Sequence, residues 1–157
     1  MCSRIEIIVG SMFSGKSTEL LRRCHRYECI DKIVLIINSV LDTRCDSNEV
    51  QTHNNQVHKA LKVDHLMKID INYLENVDVI GIDEAQFFDD LPSFLLKVEK
   101  LNKIIIVAGL DGDFKRNPFG KILECIPLAD NITKLTAMCS ICKDGTPAIF
   151  SKKMGNN

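Results

Sequence analysis

The segment at residues 10–17, GSMFSGKS, constrains this chain more than any other part of the sequence. It fits the phosphate-binding pattern G-x-x-x-x-G-K-[ST] at every fixed position. Residues 4–9 before it have the pattern of an apolar strand, and residues 17–24 after it have that of an opening helix. These flanks disfavour the alternative, a chance glycine turn. In such a loop the backbone N–H groups and the helix N-terminus face phosphate oxygens. The segment predicts a nucleoside triphosphate site formed by Gly10, Ser11, Met12, Phe13, Ser14, Gly15, Lys16 and Ser17.

Composition narrows the class of protein further. With 157 residues, of which 45% are hydrophobic, the chain has room for one well-filled core. Its formal net charge of −1 gives no reason to expect nucleic acid or an anionic membrane as a partner. The sequence has no membrane-length apolar run and no secretory signal pattern. Seven cysteines without framework-like spacing are typical of reduced thiols, so we expect a cytoplasmic protein.

Apolar stretches alternate with amphipathic ones along the chain. The strand candidates are residues 5–9, 33–37, 77–82, 103–108 and 132–138. Near-continuous apolar strands predict a mainly parallel sheet that is buried on both faces. The first helix carries an apolar face and three arginines, at positions 22, 23 and 26, that we expect to point away from it. Residues 39–56 are polar and aperiodic, which predicts a long functional loop. The fold class predicted is α/β, with a P-loop NTPase-type sheet flanked by helices.

A second chemical signal follows the apolar strand at residues 79–82, where two carboxylates stand side by side. In phosphate-loop proteins an aspartate at this point helps to hold Mg²⁺ opposite the loop hydroxyl, here Asp83 opposite Ser17. Glu84, one residue further on, is suited to accept a proton from an alcohol or from water. The competing interpretation is a pair of solvated acids at a strand end. The two residues alone do not decide between water and an alcohol as the nucleophile.

Five blocks in this sequence resemble the thymidine kinase family of the cellular and poxviral type (type II). The blocks are residues 10–21 (GSMFSGKSTELL), 42–44 (DTR), 82–88 (IDEAQFF), 110–119 (LDGDFKRNPF) and 134–142 (KLTAMCSIC). They occur in the family's order, and the resemblance extends from about residue 5 to residue 153. The family's fold and chemistry are therefore expectations for this chain.

The resemblance implies ATP- and Mg²⁺-dependent transfer of a phosphoryl group to the 5′-hydroxyl of thymidine. It makes Glu84 the catalytic base, and it assigns Mg²⁺ to Asp83 and Ser17. Besides the loop residues, the implied ATP-binding set contains Asp42, Thr43, Arg44, Asp83, Glu84, Ala85 and Gln86. Ala85 is a departure, since many relatives have glycine there. The resemblance also implies a homotetramer.

The thymine pocket is implied by the same resemblance, which makes Phe114 the aromatic wall and places Met12 and Leu110 around the thymine methyl group. A flat base is suited to an aromatic face in a dry apolar pocket. From composition alone, the interpretation of Phe114 as a buried core residue is favoured.

Cys139 and Cys142 have the C-x-x-C spacing of half a zinc site, whereas a structural Zn²⁺ takes four ligands. We divide the chain into a nucleotide-binding domain, residues 1–134, and an incomplete zinc-ribbon-like segment, residues 135–157. In the family a second C-x-x-C follows a tyrosine-bearing loop that covers the nucleoside, and neither occurs in this sequence. We therefore expect weak zinc binding. An alternative function stays open: a nucleotide-binding protein that acts as a slow ATPase or a scaffold.

Overall fold

Six strands form one sheet in the computed structural model of the chain, which describes residues 2–41, 49–51 and 57–154. The strands in chain order are β1 (Arg4–Gly10), β2 (Val34–Ser39), β3 (Glu49–Gln51), β4 (Val57–Lys59), β5 (Leu61–Val63), β6 (Val79–Ile82), β7 (Ile104–Gly109), β8 (Asn131–Leu135), β9 (Ala137–Met138) and β10 (Pro147–Ala148). The six-stranded sheet has the order β5-β2-β6-β7-β1-β8, and all its pairings are parallel. This confirms the prediction of an α/β fold with a parallel sheet.

Within the described residues, three α-helices and three 3-10 helices connect these strands. The α-helices are α1 (Lys16–Glu28), α2 (Ile71–Glu75) and α3 (Leu91–Glu99). The 3-10 helices are Leu66–Lys68, Ala85–Phe87 and Ile122–Leu128. Among the described residues, no helix combines the length and the apolar character that a membrane span requires.

Helices cover both faces of the sheet, as its apolar strands predict. Along β1, Ile5 and Ile7 belong to the core that contains the buried side chains of α3. Ile8 points to the other face and packs with Leu20 and Cys24 of α1. The apolar face predicted for the first helix is therefore confirmed.

The prediction for Arg23 was wrong. Its side chain is only 14% exposed, and its guanidinium Nη1 lies 2.8 Å from Oε1 of Glu6. Glu6 lies in β1 and is buried, so a charged helix residue is needed on that face to compensate its carboxylate. Arg23 also contacts Glu19 at 2.9 Å, while Arg4 contacts Glu6 from the other side.

Two further differences concern short strands. β5 was not predicted, and the candidate strand at residues 132–138 is two strands, β8 and β9. β9 pairs with β10 in an antiparallel pair outside the main sheet. The long loop predicted at residues 39–56 contains β3, which pairs antiparallel with β4. Asp42, Thr43 and Arg44 lie outside the described residues.

Candidate active site

The carboxyl ends of β1, β6 and β7 lie at one edge of the sheet because these strands are parallel and adjacent. The segment at residues 10–17 follows β1, Asp83 and Glu84 follow β6, and Leu110 follows β7. In open α/β sheets, ligands bind at this edge. The fold thus brings together three of the blocks that the sequence singled out.

Two glycines shape the segment between β1 and α1. Gly10 has a φ of +154°, and a Cβ there would lie 2.4 Å from the carbonyl oxygen of Leu135 in β8. Gly15 has a φ of +84° and is the N-cap of α1. A side chain at either position would therefore be strained, which explains both fixed glycines of the pattern.

Lys16 places its ammonium group over this loop. Its Nζ donates to the carbonyl oxygen of Ser11 at 2.6 Å and to Oγ of Ser14 at 3.5 Å. The Ser14 hydroxyl donates to the same Ser11 carbonyl at 2.7 Å. The loop therefore presents a positive charge together with the N-terminus of α1, an arrangement that favours anions.

Ser17 and Asp83, which were predicted to hold Mg²⁺ from opposite sides, are in direct contact. The Ser17 hydroxyl lies 3.0 and 2.9 Å from the two carboxylate oxygens of Asp83. Both residues are buried, and Asp83 is only 1% exposed. A hydroxyl beside a carboxylate is the oxygen donor set that Mg²⁺ prefers, so these residues fit that ion.

Glu84 follows with a left-handed backbone, φ +50° and ψ 43°, which is uncommon for a residue other than glycine. Its N–H donates to Oδ1 of Asp83 at 2.9 Å, and its carbonyl accepts from the N–H of Phe87 at 3.1 Å. The Gln86 side chain donates to Oε2 of Glu84 at 2.6 Å. Ala85, between them, is fully buried. The turn therefore holds Glu84 and Asp83 side by side.

The segment around β10 contacts the loop at residues 10–17, which the sequence did not predict. The Ser11 hydroxyl donates to the carbonyl of Ala148 at 3.1 Å, and the N–H of Met12 donates to Oγ of Ser151 at 2.9 Å. A cavity of about 210 Å³ lies beside these contacts, and its lining includes Ser11, Arg116, Phe150 and Ser151. Phe150 packs under Arg116, whose guanidinium carbon is 4.8 Å from the ring centroid.

Phe114 is not a core residue, because it is 48% exposed. The ammonium groups of Lys115 and Lys153 lie 5.7 and 5.4 Å from its ring centroid. Met12 is also exposed. Within the described part of the chain, neither of these residues nor Leu110 lines the cavity beside Ser11.

Cys139 and Cys142 form the predicted tight turn, in which the N–H of Cys142 donates to Sγ of Cys139 at 3.4 Å. This backbone hydrogen bond lowers the pKa of the Cys139 thiol. A hydrogen bond between the two sulfur side chains raises the pKa of the Cys142 thiol. The described residues contain no group of three or more His, Cys, Asp or Glu side chains that could hold a metal ion. The two thiols alone therefore do not complete a four-ligand zinc site.

Fold and site together define an α/β protein whose polar loops gather at the carboxyl edge of a parallel sheet. The family model described as "Thymidine kinase" matches residues 3–157 of the chain. The chain therefore belongs to the thymidine kinase family.

Individual relatives agree with this result. The chain is 46% identical over 154 residues to the thymidine kinase of Myxoma virus (strain Uriarra), covering 98% of this chain and 84% of the relative. It is 46% identical over 153 residues to the thymidine kinase of Oryza sativa subsp. japonica, covering 94% of this chain and 56% of the relative. It is 43% identical over 152 residues to "Thymidine kinase, cytosolic" of Homo sapiens, covering 97% of this chain and 63% of the relative.

Proposed function

We propose that this protein transfers the γ-phosphoryl group of ATP to the 5′-hydroxyl of thymidine, which gives thymidine monophosphate. One observation carries the proposal: Ser17 of the glycine-rich loop contacts Asp83, and Asp83 in turn accepts from the N–H of Glu84. The Glu84 carboxylate, which can accept a proton, thus lies beside a loop suited to bind phosphate. The chain belongs to the thymidine kinase family.

The phosphate end of the reaction is assigned to residues 10–17. Lys16 donates to the β- and γ-phosphates, and the backbone N–H groups of the loop bind their oxygens. Ser17 and Asp83 would hold Mg²⁺, which would neutralise the negative charge that develops on the phosphates during transfer. The family resemblance adds Asp42, Thr43 and Arg44 on the phosphate side.

Glu84 is assigned as the base that receives the proton of the 5′-hydroxyl. Glu84 is the second residue after β6, and hydrogen bonds of its N–H and its carbonyl fix its main chain. The base must lie within hydrogen-bond reach of the hydroxyl whose proton it takes. The position of Glu84 next to Asp83, the proposed Mg²⁺ ligand, supports that role.

The nucleoside end is assigned to Phe114, with Met12 and Leu110 beside it. The half-exposed ring of Phe114 supports this assignment, because a thymine base can stack on a ring only if one face is accessible. Ala148 and Ser151 contact Ser11 and Met12 of the phosphate loop, and Lys153, two residues after Ser151, lies 5.4 Å from the Phe114 ring centroid. The segment around β10 therefore connects the phosphate loop to Phe114.

The experiment measures thymidine monophosphate and ADP in the same reaction, for the parent chain and for Glu84→Gln. We expect Glu84→Gln to form thymidine monophosphate about 10²- to 10⁴-fold more slowly, with ATP affinity retained. The matched control is Glu99→Gln, at the exposed end of α3. Unchanged product formation by Glu84→Gln would contradict the proposal. ADP without thymidine monophosphate in the parent would support the ATPase alternative.

Three further proposals concern a zinc site, the assembly of the protein and its location in the cell. Cys139 and Cys142 are proposed as two ligands of a structural zinc, to be tested by metal analysis of the purified protein. A homotetramer, as the resemblance implies, is tested by light scattering. The free thiols of Cys2, Cys24 and Cys29 support a reducing compartment such as the cytoplasm.

A further inference from the structure

The side chain of Gln86 connects the Glu84 carboxylate to the start of the next loop. Its Nε2 donates to Oε2 of Glu84 at 2.6 Å, and its Oε1 accepts from the N–H of Leu110 at 3.0 Å. A carboxylate can only accept and a backbone N–H can only donate. Only an amide in this one orientation satisfies both partners, so the bridge fixes which end of Gln86 faces Glu84.

Two glycines make room for this bridge. A Cβ at Gly109, the last residue of β7, would lie 2.7 Å from Oε1 of Gln86. A Cβ at Gly120, where φ is +64°, would lie 2.1 Å from the carbonyl oxygen of Gln86. Two separate segments therefore leave out a side chain where Gln86 packs. Gln86 itself is 2% exposed, so the surroundings determine its position closely.

Backbone hydrogen bonds alone do not orient the Glu84 carboxylate. They fix its main chain through Asp83 and Phe87, but a glutamate side chain retains three rotatable bonds. The amide of Gln86 supplies a donor aimed at one carboxylate oxygen. A base must be held close to its reactive geometry, since a displacement of about 1 Å can lower a rate about 100-fold.

We propose that Gln86 is a positioning residue that orients the Glu84 carboxylate for proton transfer. The same amide holds the N–H of Leu110, so it also fixes Glu84 relative to the loop that carries Phe114. This inference rests on the proposed function of Glu84 as the base. It differs from the prediction that Gln86 binds ATP, because both ends of the amide are engaged within the protein.

The test is a double-mutant cycle between Glu84→Gln and Gln86→Met. Methionine keeps the length of the side chain but has no N–H donor. We expect Gln86→Met to lower kcat about 10- to 100-fold while KM for ATP and for thymidine changes less than about twofold. In the Glu84→Gln background, Gln86→Met should cause little further loss of kcat, because the group that it orients is already absent.

The outcomes separate the two proposals. If the parent forms no thymidine monophosphate, the proposed function fails, and if Glu84→Gln keeps the parental kcat, Glu84 is not the base. If Glu84→Gln lowers kcat but Gln86→Met does not, or lowers it equally in both backgrounds, the positioning role is overturned. Should Gln86→Met fail to fold by circular dichroism, Gln86→Asn replaces it, since asparagine keeps an uncharged amide but is one methylene too short to reach both Glu84 and Leu110. The same non-additive loss of kcat is then expected, and an additive loss overturns the proposal.

Discussion

Replacing Lys16 by alanine is the sharpest test of the phosphate site. The Lys16 ammonium lies over the loop, where it donates to the Ser11 carbonyl at 2.6 Å and to the Ser14 hydroxyl at 3.5 Å. Alanine removes the charge but leaves the backbone of the loop and the two glycines that shape it. We expect Lys16→Ala to weaken MgATP binding while the fold is retained.

The expected loss of MgATP affinity follows from the hydrogen bonds that the Lys16 ammonium makes with and without bound phosphate. A hydrogen bond that involves a charged group contributes about 1.5–3 kcal/mol, which corresponds to about 10- to 150-fold in affinity. The ammonium already has the Ser11 carbonyl as an acceptor, so part of the gain from phosphate is offset. The loss of MgATP affinity should therefore lie near the lower end, at about tenfold. The loss of transfer rate should be larger, because lysine also stabilises charge that develops on the phosphates.

Calorimetric titration of MgATP into the parent and the variant measures this affinity. Lys100→Ala is the matched control, because Lys100 is an exposed lysine at the C-terminal end of α3, outside the segment at residues 10–17. It should bind MgATP like the parent. An affinity of Lys16→Ala within twofold of the parent would refute the assignment of residues 10–17 as the phosphate site, provided that both variants melt like the parent.

Three further predictions concern other parts of the molecule. Phe114→Ala should raise KM for thymidine about 5- to 150-fold with MgATP affinity unchanged, since base–aromatic stacking contributes about 1–3 kcal/mol. An unchanged KM would remove Phe114 from the pocket. Arg23→Met should lower the free energy of unfolding by about 1–3 kcal/mol in urea titrations, because buried Glu6 loses one of its two cationic partners; a loss below about 0.5 kcal/mol would contradict this. Burial raises the pKa of the Cys24 thiol to about 12, whereas Cys29 is exposed. Iodoacetamide at pH 8 should therefore label Cys29 and leave Cys24 unmodified in peptide maps. Rapid labelling of Cys24 would refute its burial.

The four inner strands could be predicted from the sequence because each is a nearly continuous apolar run. β5 could not, since it has three residues with a lysine in the middle and depends on pairing with β2. The break between β8 and β9 has a tertiary cause. Leu135 pairs with Gly10, the last residue of β1, so the main sheet offers no parallel partner beyond this point.

That Ser17 and Asp83 lie near each other could be predicted, because the loop that leads to Ser17 follows β1 and Asp83 follows β6 at the same edge of one parallel sheet. Their direct hydrogen bond could not be predicted in this way. The Gln86 bridge could not, because it depends on the left-handed backbone of Glu84, which no sequence pattern indicated. The sequence does contain an indication of the ion pair between Arg23 and Glu6. Glu6 is a charged residue inside an apolar strand, and such a residue needs a partner from the helix packed against it.

The site residues are scattered through the sequence because each loop follows a different element and only the sheet edge brings them together. Hydrogen bonds then join the loops in pairs: Ser17 to Asp83, Gln86 to Leu110, and Ser11 to Ala148. Residues that share such a network show non-additive effects when they are changed together. The phosphate loop and the segment around β10, whose neighbour Lys153 lies over the Phe114 ring, should therefore be coupled. A Ser151→Ala variant, which loses the acceptor for the N–H of Met12, should weaken the effect of bound thymidine on MgATP affinity, and equal coupling in parent and variant would show that this contact transmits nothing.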